Sequence, residues 1–155
     1  METFNLKEFT NFLNIANKCT YAANGKKVVS SRLKSDDFEY KRGGWAYHDT
    51  YFGEQDFIGE EVVYKNNVPV WGANYYGFIL DDAYAPKQVY VFLKKSLMQE
   101  SDNIIPVRGP KTFKDDGWVY NNYADGELDN FSGKEEILFG NRVVYRCLYH
   151  GGFVR

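Results

Sequence analysis

One series of landmarks occurs twice in this chain, and any fold it adopts has to accommodate that series twice. The first copy runs Gly44-Trp45-Ala46-Tyr47, Phe57-Ile58-Gly59-Glu60-Glu61, Val70-Trp71 and Tyr75-Tyr76-Gly77. The second runs Gly117-Trp118-Val119-Tyr120, Phe131-Ser132-Gly133-Lys134-Glu135, Val144-Tyr145 and Tyr149-His150-Gly151. Gly44 and Gly117 are 73 residues apart and Phe57 and Phe131 are 74 apart, so one inserted residue separates the two registers. Self-similarity of this kind marks a supersecondary unit used more than once.

Hydrophobic periodicity fills in the unit. Leu6, Phe9, Phe12, Leu13 and Ala16 follow the spacing of an amphipathic helix over residues 5–18, with Asn5 as its N-cap. A polar segment from Asn24 to Arg42 reads as a loop with a short extended piece at Phe38 to Lys41. Three strands follow, Trp45 to Phe52, Phe57 to Tyr64 and Val68 to Leu80, with a tight turn at Asn66-Asn67. Helical spacing returns from Lys87 to Gln99 through Val89, Phe92, Leu93 and Leu97. A loop from Ser101 to Lys114, containing Asn103, Pro106, Gly109 and Pro110, leads to strands at Trp118 to Tyr123, Phe131 to Phe139 and Arg142 to Val154. The expected fold is α+β, an internally duplicated (αβββ)₂ domain with an antiparallel six-stranded sheet or half-barrel and two helices. It forms one domain over residues 1–155, with units at about 5–80 and 86–155.

Strand parity then sorts side chains into faces. Phe131, Gly133, Glu135, Ile137 and Phe139 share the apolar face of their strand, and Phe57, Gly59, Glu61 and Val63 share the corresponding one. Each copy thus places one glutamate among core residues, where a charge is costly unless it is paired, hydrogen-bonded or protonated. Neighbouring strands bring Trp45, Tyr47, Trp71 and Tyr75 to Glu61, and Trp118, Tyr120, Tyr145 and Tyr149 to Glu135. Two readings follow. Each glutamate braces the sheet by accepting hydrogen bonds, or the curved sheet leaves an aromatic pocket whose carboxylate suits a cationic or aromatic small molecule.

Composition narrows the classes of function. A net charge of -2 and scattered lysines and arginines argue against direct nucleic-acid binding. The two cysteines, Cys19 and Cys147, are too few for a disulfide framework and lack zinc-site spacing, which points to reduced thiols and a cytoplasmic protein. No targeting segment or membrane span is expected. His48 and His150 are not spaced as metal ligands, Cys147 reads as a buried apolar group, and Arg108-Gly109-Pro110 reads as a turn with an arginine able to meet an anion. No catalytic residue, cofactor or metal is assigned.

The segments Thr20-Tyr21-Ala22, Tyr51 to Glu61, Trp71 with Tyr75-Tyr76-Gly77, Arg108-Gly109-Pro110, Phe131 to Glu135 and Tyr149-His150-Gly151-Gly152 resemble a bacterial domain of unknown function. That domain occurs alone or behind an XRE-type helix-turn-helix. The resemblance runs from about Phe9 to Phe153 and implies a sensor or effector-binding module, with too few residues before Phe9 for a DNA-binding domain. The leading expectation is a non-enzymatic small-molecule binding module anchored by Glu61 and Glu135. The alternatives are an interaction or immunity-type protein using Tyr76, Phe78 and Tyr84, and a small hydrolase using the paired glutamates.

Overall fold

In the computed structural model, which describes residues 5–101 and 107–155, a helix followed by four strands occurs in each half of the chain. Helix α1 (Leu6–Cys19) leads through a 3-10 turn at Tyr21–Ala23 to β1 (Asp36–Arg42), β2 (Trp45–Phe52), β3 (Phe57–Lys65) and β4 (Val68–Ile79). Helix α2 (Pro86–Leu97) leads to β5 (Thr112–Asp115), β6 (Trp118–Glu127), β7 (Asn130–Phe139) and β8 (Arg142–Phe153). All eight strands form a single antiparallel sheet in the order β1-β2-β3-β4-β8-β7-β6-β5.

The expected six-stranded sheet of duplicated αβββ units is therefore incorrect. The sheet has eight strands and is open; its edges are β1, expected only as a short extended piece at Phe38 to Lys41, and β5, which was not expected. Their sequences, Asp-Asp-Phe-Glu-Tyr-Lys-Arg and Thr-Phe-Lys-Asp, are charged, as suits an edge that has to avoid pairing with another chain. That charge also hides the period-two signal by which a strand is recognised. Asn103 and Pro106, assigned to the second connecting loop, lie outside the described residues.

Four hairpins close on two residues that both have positive φ: Gly43-Gly44, Asn66-Asn67, Asp116-Gly117 and Gly140-Asn141. This is the type I′ geometry, whose twist matches that of the flanking strands, and Gly, Asn and Asp adopt it at least cost. The turns set the register that puts one row of each strand toward the helices. Asn5 caps α1 by accepting from the backbone N–H of Lys7 at 2.9 Å and of Glu8 at 3.3 Å. Pro86 opens α2, and the Gln88 side chain accepts from the Ala85 N–H at 3.2 Å.

Both helices cover the same face of the sheet. Phe9 and Phe12 of α1 pack on Trp45, while Phe92 of α2 stacks on Phe113 and meets Trp118. Phe9, Leu13, Val89 and Leu93 are fully buried with Val63, Trp71, Tyr120, Ile137 and Tyr145 in one continuous core.

Two glycines on this inner face let tyrosines lie across a strand. Gly59 of β3 pairs with Tyr75 of β4, and Gly133 of β7 pairs with Tyr149 of β8. A Cβ at Gly133 would stand 2.0 Å from Cζ of Tyr149, and one at Gly59 would stand 2.4 Å from the Tyr75 hydroxyl. The bare glycine therefore lets each hydroxyl reach the next strand, where Tyr75 donates to Asp49 at 2.5 Å and Tyr149 to Asn122 at 2.7 Å. Gly133→Ala is expected to push Tyr149 off Asn122 and to cost about 2 kcal/mol, an overpacking penalty read as a lower urea midpoint at unchanged slope.

Candidate functional site

The inner face carries polar side chains in both halves, and the halves differ in how these are satisfied. In the second half Glu135 is fully buried and saturated with donors. Arg108 donates from Nε to Oε2 at 3.1 Å and from Nη2 to Oε1; Tyr120 donates to Oε2 at 2.6 Å and Tyr145 to Oε1 at 2.8 Å. The turn carrying Arg108 is itself fixed, because the Gly109 N–H donates to the Tyr120 hydroxyl at 3.0 Å and the Gly109 carbonyl accepts from Asn122 at 3.0 Å. A forked guanidinium on a carboxylate is among the strongest pairings available to a buried charge.

In the first half the corresponding donors are missing. Glu61 is 5% exposed, and its Oε2 is buried without a hydrogen-bond partner. Tyr47 stands where Tyr120 stands in the other half, but Trp71 replaces Tyr145, and its Nε1 donates away from the site to the Leu128 carbonyl at 3.0 Å. Among the described residues no arginine is hydrogen-bonded to Glu61; Arg108 lines the same cavity but is forked onto Glu135. The loop ahead of β1 is instead drawn to the outer face, where Ser31, Ser35, Thr50 and His48 all bond the buried carboxylate of Asp37. These donors hold the Asp37 carboxyl well below the usual range against the opposing effect of burial.

The partner of Glu61 across the strands is a second acid. Asp49 of β2 lies directly opposite Glu61 of β3, where the second half sets Asn122 opposite Glu135. Directly opposed side chains on neighbouring strands sit about 5 Å apart at Cβ, close enough for two like charges to repel strongly. Burial pushes the Glu61 carboxyl up to about 8, and Asp49 adds to this, with Arg108 and the Tyr47 hydroxyl pulling the other way. Burial likewise raises Asp49 to about 6, opposed by the Tyr75 hydroxyl and by Arg108. Between those values the pair holds a proton that the ordinary carboxylate range would have lost.

A cavity of about 360 Å³ opens over this pair. Its floor is Tyr47, Asp49, Phe57, Glu61 and Tyr75 of the sheet; Tyr21 and Tyr90 enter from the 3-10 turn and α2, and Arg108 forms the back wall. Arg108 faces Tyr75 with Cζ 5.7 Å from the ring centre. Lys27 and Lys94 stand at the rim, where Lys27 pairs with Asp36 at 2.7 Å and Lys94 donates to Asn24 at 2.5 Å. A wider concavity of about 910 Å³ lies on the opposite, outer face between Ile58, Tyr76, Tyr123 and Leu148.

The residues singled out by sequence thus separate. Glu61, Tyr47 and Tyr75 line the cavity. Trp45 and Trp71 pack in the core, the former donating to Glu8 at 2.6 Å and the latter stacking on Phe131. Trp118 packs against Phe92 and Phe139, Tyr120 and Tyr145 serve Glu135, and Tyr149 serves Asn122. Burial raises the Cys147 thiol to about 12, which leaves it protonated. Sequence reasoning missed Asp49 as a site residue; it read Arg108 as a turn arginine able to meet an anion, and the anion it meets is the Glu135 carboxylate. The signal for Asp49 was present, since Asp49 follows Gly44-Trp45 at the spacing at which Asn122 follows Gly117-Trp118, on the face that carries the glutamates. Among the described residues no cluster of three or more His, Cys, Asp or Glu side chains is arranged to hold a metal, and no helix is long and apolar enough to cross a membrane.

Comparison with known proteins matches residues 49–154 to a family described as a domain of unknown function, DUF5680. Neither a curated protein nor a solved structure matches the chain. The matched span contains Asp49, Glu61, Tyr75, Arg108 and Glu135 and covers most of the chain, which therefore belongs to this family.

Proposed function

We propose that this member of the DUF5680 family is a small-molecule binding module, with its ligand held in the cavity over Asp49 and Glu61. One observation carries the reading: Oε2 of Glu61 is buried without a hydrogen-bond partner, and Glu61 lines a cavity walled by tyrosines. A fold that buries a carboxyl oxygen without a partner pays for it in stability, and such a cost commonly accompanies a site kept ready for another molecule. Glu135 has four donors and serves as the brace of the module; the hydrolase reading, which needs two available glutamates, draws no support from that arrangement. We read the two halves as copies of one unit, one closed by its own arginine and the other left open. A cytoplasmic effector-sensing role fits the two free cysteines and the resemblance to modules found behind XRE-type helix-turn-helix domains.

Thermal denaturation against a panel of small aromatic and basic compounds tests this reading. A ligand at about a hundred times its Kd is expected to raise the melting temperature by about 5 °C or more, with the shift sharply reduced in Glu61→Gln. A silent panel, with this cavity filled only by ordered water in a crystal, would refute it. A second reading, a protein-interaction surface, is favoured by the outer face. Ile58 pairs with Tyr76, and Tyr76 with Leu148, in a row across β3, β4 and β8 whose three side chains are about half exposed. Tyr76 also stacks on Phe78, whereas Tyr84 is used internally against Trp118 and Phe139.

A further inference from the structure

Resting on the cavity reading above, we propose that the ligand carries a forked planar cation, a guanidinium or amidinium, which seats on Asp49 and Glu61 as Arg108 seats on Glu135. The closed half shows what a carboxylate in this setting requires. Glu135 takes two N–H donors from one planar group and one O–H donor from each of two tyrosines. Glu61 keeps the equivalent of one tyrosine, Tyr47, and lacks both the second tyrosine and the fork. Asp49 already accepts from Tyr75 through Oδ1, which leaves Oδ2 of Asp49 and the orphaned Oε2 of Glu61 to take further donors, on two residues that both line the cavity. A planar group with parallel N–H bonds can serve two such oxygens at once, which a tetrahedral ammonium does less well.

Charge points the same way. Asp49, Glu61 and Glu135 face the interior around one cation, Arg108, and the bidentate bonding of Arg108 belongs to Glu135. Of the two rim lysines, Lys27 is ion-paired with Asp36, and Lys94 donates to the neutral amide oxygen of Asn24. The rings of Tyr75 and Tyr21 already face Arg108 and Lys94, and Tyr47 and Tyr90 are the further rings of the cavity beside which a cation of this type would sit.

Because the empty pair retains a proton, seating the cation expels it. The groups facing the pair are Tyr47 of β2, Tyr75 of β4, Arg108 of the turn before β5 and Glu135 of β7, with Tyr21 and Tyr90 above; His48 lies on the other face of β2. Burial raises all four tyrosines, so between pH 6 and 8 they stay neutral and the proton released comes from the acid pair. Amidinium ions remain charged over the same range, so their affinity rises with pH, by up to about tenfold per unit for one proton released.

Calorimetric titration of the full chain with benzamidine, benzylamine and benzamide tests the proposal. At pH 8 benzamidine is expected to bind about tenfold or more tighter than benzylamine, and benzamide weakest. Glu61→Gln is expected to weaken benzamidine by about 10- to 100-fold and to leave benzamide unchanged. Titrations in buffers of different ionisation enthalpy are expected to report about one proton released per benzamidine near pH 7. If benzamide binds as well as benzamidine, the cation is not the recognised group, while the cavity reading stands. If none of the three binds, the forked-cation proposal fails, and a silent compound panel then removes the cavity reading with it.

Discussion

Arg108→Leu is expected to destabilise the protein by about 3–5 kcal/mol at neutral pH, among the largest effects a single substitution in this chain can have. The variant loses two charge-assisted hydrogen bonds and leaves the Glu135 carboxyl fully buried beside only two tyrosine hydroxyls. The uncompensated charge, rather than the lost attraction, accounts for most of the penalty, because the paired state had already absorbed a large desolvation cost. The rescue follows from the same argument. Glu135→Gln in the Arg108→Leu background removes the charge while keeping an oxygen for Tyr120 and Tyr145, and is expected to recover about 2 kcal/mol or more. Urea unfolding of the wild type, both single variants and the double variant gives the coupling energy directly. Additive losses would show that Arg108 and Glu135 contribute independently and that the closed half is not held by their pairing.

The inward placement of Glu61 and Glu135 was legible in the sequence because strand parity is a strict period, and a glutamate one residue out of phase would have faced water. The hairpin at Asn66-Asn67 was legible for a related reason, since few residues tolerate positive φ at both central positions. Strands β1 and β5 were obscured because an edge is specified by charge and not by an apolar row, so Asp36 to Arg42 shares the composition of a loop. The separation of the two glutamates into a brace and an open site could not be read from their own neighbours. It depends on Arg108, which is 27 residues from Glu135 in the chain and is brought to it by the turn before β5. It depends as well on Trp71, whose indole donates outward to Leu128 and leaves Glu61 short of a donor. Contacts of that range are set by tertiary packing, which local periodicity does not encode.

Glu61→Gln is expected to make the protein more stable at pH 8.5 while weakening the benzamidine binding proposed for it. The folded-state values of Glu61, about 8, and Asp49, about 6, both exceed the ordinary 4.5 and 3.8, so the native state holds protons that the unfolded chain has released. Stability from such groups is complete below their unfolded values and is lost as the pH rises through the folded ones. Wild-type stability should therefore decline as the pH rises from about 4.5 to 8, because two buried carboxyls opposite one another are being forced to ionise. Glutamine has the same shape, no proton to lose and an amide N–H that can donate to Asp49. The variant's profile should then be flatter above pH 5, matching the wild type within about 1 kcal/mol at pH 4.5 and exceeding it by about 2 kcal/mol or more at pH 8.5. Urea midpoints at those two pH values decide the matter. A variant less stable than the wild type at pH 8.5 would mean that the ionised Glu61 is used by the fold as Glu135 is, and that both halves are braced. A variant that gains stability as it loses benzamidine binding would identify Glu61 as a residue that costs the fold and serves the ligand.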